Sequence, residues 1–200
     1  MTAKQIKSIA LKHFALNGYE GTSMAHIANE IGIKKQSIYT HYKGKDDLFL
    51  QVCNDAFDNE LQTVKSYIDR SSSCSIEEFL YGFLVHFKTQ YEKDEYTKFW
   101  LRISFFPPSH LYDQVMEYVY SYLDNLEMLL IPIMEQAMAS HKINSEIGAE
   151  KASSAFLGLL DSIFVEMLYG GPERLEKRMD ASWHLYWLGL SKNTGLGVVE

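Results

Sequence analysis

The sequence predicts an all-α protein of about nine helices, with a three-helix N-terminal head joined to a larger C-terminal helical bundle. Apolar residues recur at helical spacing almost from end to end, and no segment calls for a strand. Only four Pro and 12 Gly punctuate 200 residues, while Met, Leu and Ala are plentiful, as helices favour. At 46% hydrophobic and 22% charged, the chain can bury a real core, which excludes disorder as its main state. The formal net charge is −7, but it is divided unevenly. Residues 1–47 carry seven Lys against four acids, a net +3, which leaves −10 for residues 48–200. A basic head on an acidic body is the first functional clue, and it sets the expected domains at 1–47 and 48–200.

Each element has local support. Ile6, Ile9, Ala10, His13 and Phe14 form one stripe that Asn17-Gly18 stops, a C-terminal signal suited to left-handed backbone. Thr22 or Ser23 can cap a short helix carrying Ala25, Ile27, Ala28 and Ile31, and Gly32 ends it. A third helix is expected over Lys34–His41, before the break at Lys43-Gly44. Asp46 and Asp47 then open a long helix where the macrodipole favours acids. Its stripe of Phe49, Cys53, Ala56, Phe57, Leu61, Val64 and Ile68 lasts to about Asp69. Ser75 and Glu78 make a capping box for the next helix, to about Tyr91. A helix over Glu95–Phe105 is cut by Pro107-Pro108, and another runs from near Ser109 to Ser140 with a kink expected at Pro132. Glu146–Tyr169 and Pro172–Leu190 complete the set, with Pro172 at a first helical position and a loose tail expected at 193–197.

Several function classes find no support. The start at Met1–Lys7 has no apolar run of a secretory signal, and no uncharged apolar stretch nears the length of a membrane span. A soluble, cytoplasmic protein with no membrane partner is expected. Cys53 falls on a core stripe and Cys74 lies in a Ser-rich loop; two free thiols fit a cytosolic setting better than a disulfide. No Gly-rich phosphate loop, His-Glu-x-x-His helix or Cys-x-x-Cys pair occurs. Gly21-Thr-Ser23-Met-Ala25 lacks the preceding strand that a nucleophile elbow needs, so Ser23 reads as a helix start. The seven His include no pair at metal-clamp spacing, and Asp180 with His184 reads as a solvated helix pair. No enzyme activity, metal or cofactor is expected.

The densest signal lies in residues 24–41, two short helices meeting across a tight turn. Ile27, Ile31, Ile33 and Ile38 are spaced to point inward, Ala28 is small where the helices cross, and Gly32 frees the turn. A generic helical hairpin is the competing reading. From Lys34 to Lys45 there are four Lys and no acid, interleaved with Gln36, Ser37, Tyr39, Thr40, His41 and Tyr42. Lysines attract phosphates, and short polar side chains reach phosphate oxygens or base edges. Gln36 can pair with adenine, and Lys34 or Lys35 can donate to guanine.

Residues 5–50 resemble the DNA-binding domain of the TetR/AcrR family of bacterial transcriptional regulators. The matching residues are Phe14, Gly18-Tyr19, Thr22-Ser23, Ile27-Ala28, Gly32, Tyr39, His41-Tyr42, Lys45 and Leu48-Phe49. The resemblance implies an all-helical homodimer whose paired heads bind a palindromic double-stranded DNA operator and leave it when a small-molecule effector enters the body. It implies a phosphate contact for Ser23, base and phosphate contacts for Lys34, Lys35, Gln36, Ser37, Tyr39, Thr40 and His41, and a phosphate anchor at Lys45. Gln36 departs from the small residue that many members carry there, so a side-chain contact replaces close backbone approach.

Aromatics crowd the middle of the chain, with seven Tyr between residues 81 and 122. They suit either a packed bundle or a cavity with aromatic walls and a few polar handles. By resemblance the walls are Phe87, Trp100, Phe105, Tyr122 and Phe164, and Asp161 and Glu166 raise the question of a cationic effector. Ala152, Ala155, Leu159, Ile163 and Met167 form a stripe beside small Ser153, Ser154 and Gly158. With Trp183 and Trp187 on the last helix they suit either an isologous four-helix dimer interface or packing within one chain. A small-molecule carrier with a vestigial head and a helical enzyme are the other function classes. Four lysines across the face from Lys34 to Lys45 favour the regulator. The head's +3 and the body's −10 would also turn the heads toward DNA.

Overall fold

Helix α1 (Ala3–Asn17) starts at a capping box in which the Thr2 side chain accepts from the Gln5 amide, while the Gln5 side chain accepts from the Thr2 amide. It ends at Gly18, whose φ of +69° is open to glycine and whose N–H bonds Phe14 O. A Cβ at Gly18 would also lie 3.1 Å from the Arg102 guanidinium, so space and backbone agree on this residue. These coordinates come from a computed structural model, which describes residues 2–191. The tail expected at 193–197 lies outside the described residues.

Among the described residues the secondary structure is helical with no strand, as the periodicity predicts. Helices α2 (Met24–Ile31), α3 (Lys35–Ile38) and α4 (Lys45–Arg70) follow α1. Next come α5 (Ile76–Lys93), α6 (Glu95–Phe105) and a 3-10 turn at Ser109–Leu111. Helices α7 (Tyr112–Ala139), α8 (Ala149–Tyr169) and α9 (Pro172–Leu190) complete the order. The chain forms two compact units, residues 1–66 with 89–123, and residues 67–88 with 124 onward.

Most ends fall where their caps predict. Ser75 and Glu78 form the expected box, with the Ser75 amide donating to Glu78 Oε2 at 2.9 Å. Three ends differ. Helix α3 stops at Ile38 rather than His41, because Tyr42 is drawn into the core, where its hydroxyl donates to Ala3 O at 2.8 Å. Helix α7 begins after a 3-10 turn and then runs through Pro132 without interruption. Helix α8 begins at Ala149 rather than Glu146, since Asn144 Oδ1 captures the Glu146 amide and Gly148 turns the chain at φ +81°.

In the first unit, Ile6, Ala10, Phe14, Ile27, Ile38, Leu48 and Phe49 are buried. Phe14 meets Phe49 edge-on at 5.0 Å, and Phe49 meets Phe99 at 5.7 Å. Of the four isoleucines expected to point inward, Ile27 and Ile38 do so fully, whereas Ile31 and Ile33 are half-buried at the turn. Met24 is buried and Ala25 exposed, so the larger side chain fills the start of α2. Glu60 lies on the buried stripe of α4, between Ala56 and Val64.

In the second unit, Phe83 packs on Phe156 at 5.7 Å, and α8 packs along α9. Helix α8 is long and apolar enough to cross a membrane by length and composition alone. It buries Ala152, Phe156, Leu160 and Ile163 and ends on an ion pair. Cys53 is buried and Cys74 exposed, both as free thiols.

Candidate nucleic-acid interface

The turn between α2 and α3 is a Schellman-type stop. Gly32 sits at φ +78°, ψ +34°, its amide reaches Ala28 O and Asn29 O, and the Ile33 amide bonds Ala28 O at 2.9 Å. The chain is thereby redirected into α3, whose only buried residue is Ile38. Ile38 within α3 and Tyr42 just beyond it are the anchors, both buried, and everything between Lys34 and His41 except Ile38 is exposed.

Lys34, Lys35, Gln36, Ser37, Tyr39, Thr40 and His41 therefore share one solvent-facing surface, with Tyr39 47% exposed. Lys34 stands at the N-cap of α3 without a side-chain cap bond, leaving its ammonium outward. The Lys35 ammonium lies 5.8 Å from the Tyr39 ring centre, a cation–π distance that keeps both on the same side. Thr40 Oγ1 donates to Ser37 O at 2.7 Å, which fixes its rotamer. Ser23 caps α2, its Oγ accepting from the His26 amide at 3.1 Å, so its hydroxyl proton stays available as a donor.

Lys45, the phosphate anchor that the resemblance implies, stands at the start of α4. It is half-buried, with Nζ 3.9 Å from the centre of the Tyr19 ring. The Tyr19 hydroxyl in turn donates to Asp46, and His110 Nε2 approaches Asp46 Oδ1 at 3.5 Å. Tyr19, then His110 and Lys45, hold the Asp46 carboxyl below its usual range. Burial first, then the Asp46 contact, pushes the Tyr19 phenol up. Position in the chain gave no sign of this cluster, since His110 stands far from Tyr19. Arg102 is a second long-range brace, its Nη1 donating to Ala15 O and Leu16 O at 3.3 Å each. Those carbonyls end α1 and have no partner within the helix, so α6 caps α1 from outside.

The residues expected to line an effector cavity fall into separate places. In the first unit Trp100 meets Tyr122 edge-on at 5.1 Å, with both buried. In the second, Phe87 meets Phe164 at 5.3 Å. Phe105 is 38% exposed on the last turn of α6. A half-open cleft of about 290 Å³ lies in the second unit, lined by Ile68, Cys74, Phe79, Ile133 and Lys142 among others, and by none of those five aromatics. Glu166 is not a free handle for a cation: it is buried against Arg174 Nε at 2.9 Å and Arg178 Nη1 at 2.5 Å. Of the stripe considered for a dimer, Ala152, Leu159 and Ile163 are buried within the chain, Ala155 is exposed, and Trp183 and Trp187 are half-buried.

Comparison with known proteins agrees with this geometry. Residues 6–52 match the family model described as "Bacterial regulatory proteins, tetR family". The chain is 30% identical over 111 residues to the biofilm operon icaADBC HTH-type negative transcriptional regulator IcaR of Staphylococcus aureus, covering 54% of this chain and 58% of that protein. It is 27% identical over 85 residues to IcaR of Staphylococcus epidermidis, covering 42% and 46%. The chain thus spans about half the length of these relatives.

Among solved structures, a TetR transcriptional regulator from Chloroflexus aurantiacus superposes with a TM-score of 0.76 at 16% identity, covering 94% of this chain and 96% of that one. A TetR-family regulator from Agrobacterium tumefaciens gives 0.72 at 16% identity, over 95% and 97%. At such identities the likeness speaks for the fold alone. The head thus matches the tetR family model over residues 6–52, and the chain shares its fold along its length with TetR-family structures.

Proposed function

We propose that the protein is a homodimeric repressor that holds a palindromic operator with residues 1–47 and leaves it when a small molecule binds within residues 48–200. The observation that carries this reading is the acid-free exposed surface from Lys34 to His41, fixed from below by Ile38 and Tyr42. Lysines there supply the phosphate attraction, and Gln36 on α3 supplies a side chain able to read a base edge. The assigned contacts are Ser23, Lys34, Lys35, Gln36, Ser37, Tyr39, Thr40, His41 and Lys45.

A gel shift on the protein's own upstream DNA over a salt series tests it. Retardation that weakens steeply with salt is expected, and no salt-dependent binding to any upstream fragment would sink the reading. Gln36→Ala is expected to erode discrimination between operator and random DNA by about 1–3 kcal/mol. Lys45→Ala weakens both DNAs alike and lowers the salt slope by about 1. Equal loss on both DNAs with Gln36→Ala would remove α3 as the base reader.

Dimerisation is assigned to the outer face of α8 and α9. Ala155, Gly158, Ser162 and Val165 on α8, with Leu185 and Leu188 on α9, leave a run of small and apolar groups exposed. Two copies meeting there would form a four-helix interface with two-fold symmetry, and heads about 34–36 Å apart would match successive turns of the groove. Leu185→Glu is expected to convert the dimer to monomer in sedimentation velocity at micromolar concentration. Wild type sedimenting only as monomer would exclude the dimer. Effector contacts are proposed separately in each unit: Trp100 with Tyr122 and solvent-exposed Phe105 in the first, and Phe87 with Phe164 in the second.

A further inference from the structure

Glu60 is 1% exposed on α4, and among the described residues no cation pairs with it. Its Oε1 lies 2.8 Å from Thr97 Oγ1, and the same Thr97 oxygen lies 3.2 Å from Asp94 Oδ2. A hydroxyl has one proton, so it cannot donate to two carboxylates at once. Asp94 caps α6 and also accepts from the Thr97 amide at 3.0 Å. The three groups are satisfied together only if one carboxyl carries a proton, and Glu60, fully buried and away from any cation, holds it rather than Asp94, which already accepts the Thr97 amide. The Glu60 O–H then donates to Thr97 Oγ1, and the Thr97 hydroxyl donates onward to Asp94.

We propose that Glu60 is a proton-binding site: it carries a proton that completes the Glu60–Thr97–Asp94 chain at the start of α6, and losing that proton to solvent loosens this cap. On ionisation the Thr97 hydroxyl turns to Glu60, and Asp94 keeps only the Thr97 amide. Two carboxylates then face each other across one hydroxyl. The charged or titratable groups facing Glu60 are Asp94 at the head of α6 and the Tyr122 phenol on α7; Thr97 and its neighbour Asn59 are neutral. The Tyr122 hydroxyl is fully buried and has no hydrogen-bond partner, so it does not stabilise the charge. Burial pushes the Glu60 carboxyl up to about 7; the Asp94 charge adds to this, and the bonds from Thr97 and Asn59 oppose it. Proton loss therefore falls near neutral pH.

Helix α6 joins this cap to the head, because Arg102 on the same helix holds the last carbonyls of α1. The coupling to DNA rests on the DNA-binding reading above; the proton site does not. The sign follows from the raised value. The folded state holds the proton more tightly than the unfolded chain, so the contribution of Glu60 to stability is full below about 4.5, falls as pH rises, and is gone above about 7.

Carbon-13 NMR of the glutamate carboxyls in the full chain tests the site directly. The signal lost in Glu60→Gln should titrate with a midpoint near neutrality, and a midpoint at the ordinary value of about 4.3 overturns the proposal. If Glu60→Gln does not fold, Asp94→Asn serves instead: removing that charge should move one glutamate midpoint downward, and no movement overturns the proposal. For the coupling, upstream-DNA affinity of wild type and Glu60→Gln is compared at pH 6 and pH 8. A pH effect about fivefold or more larger in wild type supports it, and equal effects overturn it. Failure of both proteins to bind any DNA would overturn the DNA-binding reading and leave the NMR result to judge the proton site.

Discussion

Exchanging Lys34 and Lys35 together for glutamate is expected to abolish DNA binding, with a loss on the order of 100-fold or more at physiological salt. Both side chains are exposed beside the first turn of α3, and neither takes part in an ion pair among the described residues. No carboxylate among the described residues neutralises their charge, which is open to phosphates. Reversing it replaces two attractive contacts per head by two repulsive ones, doubled in a dimer. Each phosphate contact that releases a counterion contributes about 0.9 to the salt slope, so the slope should fall as well. The fold should not suffer, because α3 is held by Ile38 and Tyr42, and surface changes away from such anchors stay within about 0.5 kcal/mol. Fluorescence anisotropy on labelled upstream DNA, with a thermal melt as control, checks both limbs. Unchanged affinity with an unchanged melt would place the DNA surface elsewhere.

The second large effect is on stability. Phe14 is fully buried, with Phe49 edge-on at 5.0 Å, Tyr19 stacked at 6.3 Å and Phe99 tilted at 6.3 Å. From α1 it touches side chains of the following loop, of α4 and of α6 at once, so Phe14→Ala removes a large apolar side chain and leaves a cavity that three helices cannot close together. The expected cost is about 3–5 kcal/mol, or roughly 10 °C of melting temperature for a chain of this size. Leu16→Ala, two residues on but 69% exposed, should change the melt by under about 0.5 kcal/mol. Circular dichroism melts of the two variants decide it, and similar small shifts for both would contradict the packing described.

The head was legible because its determinants are local. A Ser23 cap, a Gly32 stop and the isoleucine spacing act within a few residues, and a lysine run without acids keeps its sign wherever the helix lies. Even so, the count of inward isoleucines came out as two, since Ile31 and Ile33 flank a turn that needs surface on one side. Lys45 illustrates the next level. Its identity as a cation at the start of α4 is plain in sequence, but its stacking on Tyr19, and Tyr19's bond to Asp46, depend on the loop that returns from α1. Glu166 shows the same limit in the body. Taken alone it is a carboxylate beside aromatics, yet two arginines from the next helix already pair with it. Gly170 allows that arrangement, for a Cβ there would fall 2.0 Å from Glu166 Oε2.

By itself the sequence determined the helical class, nearly every helix boundary, the turn between α2 and α3 and the basic surface that follows it. These depend on periodicity, caps and charge, which are interactions among near neighbours along the chain. Only the tertiary structure decided which charges are spent. It placed Lys45 on an aromatic ring, Glu166 between two arginines, Arg102 on the end of α1, and Glu60 in the core beside Thr97. The physical reason is that an ionisable group's state depends on its solvation and on partners tens of residues away, and neither is fixed until the helices pack.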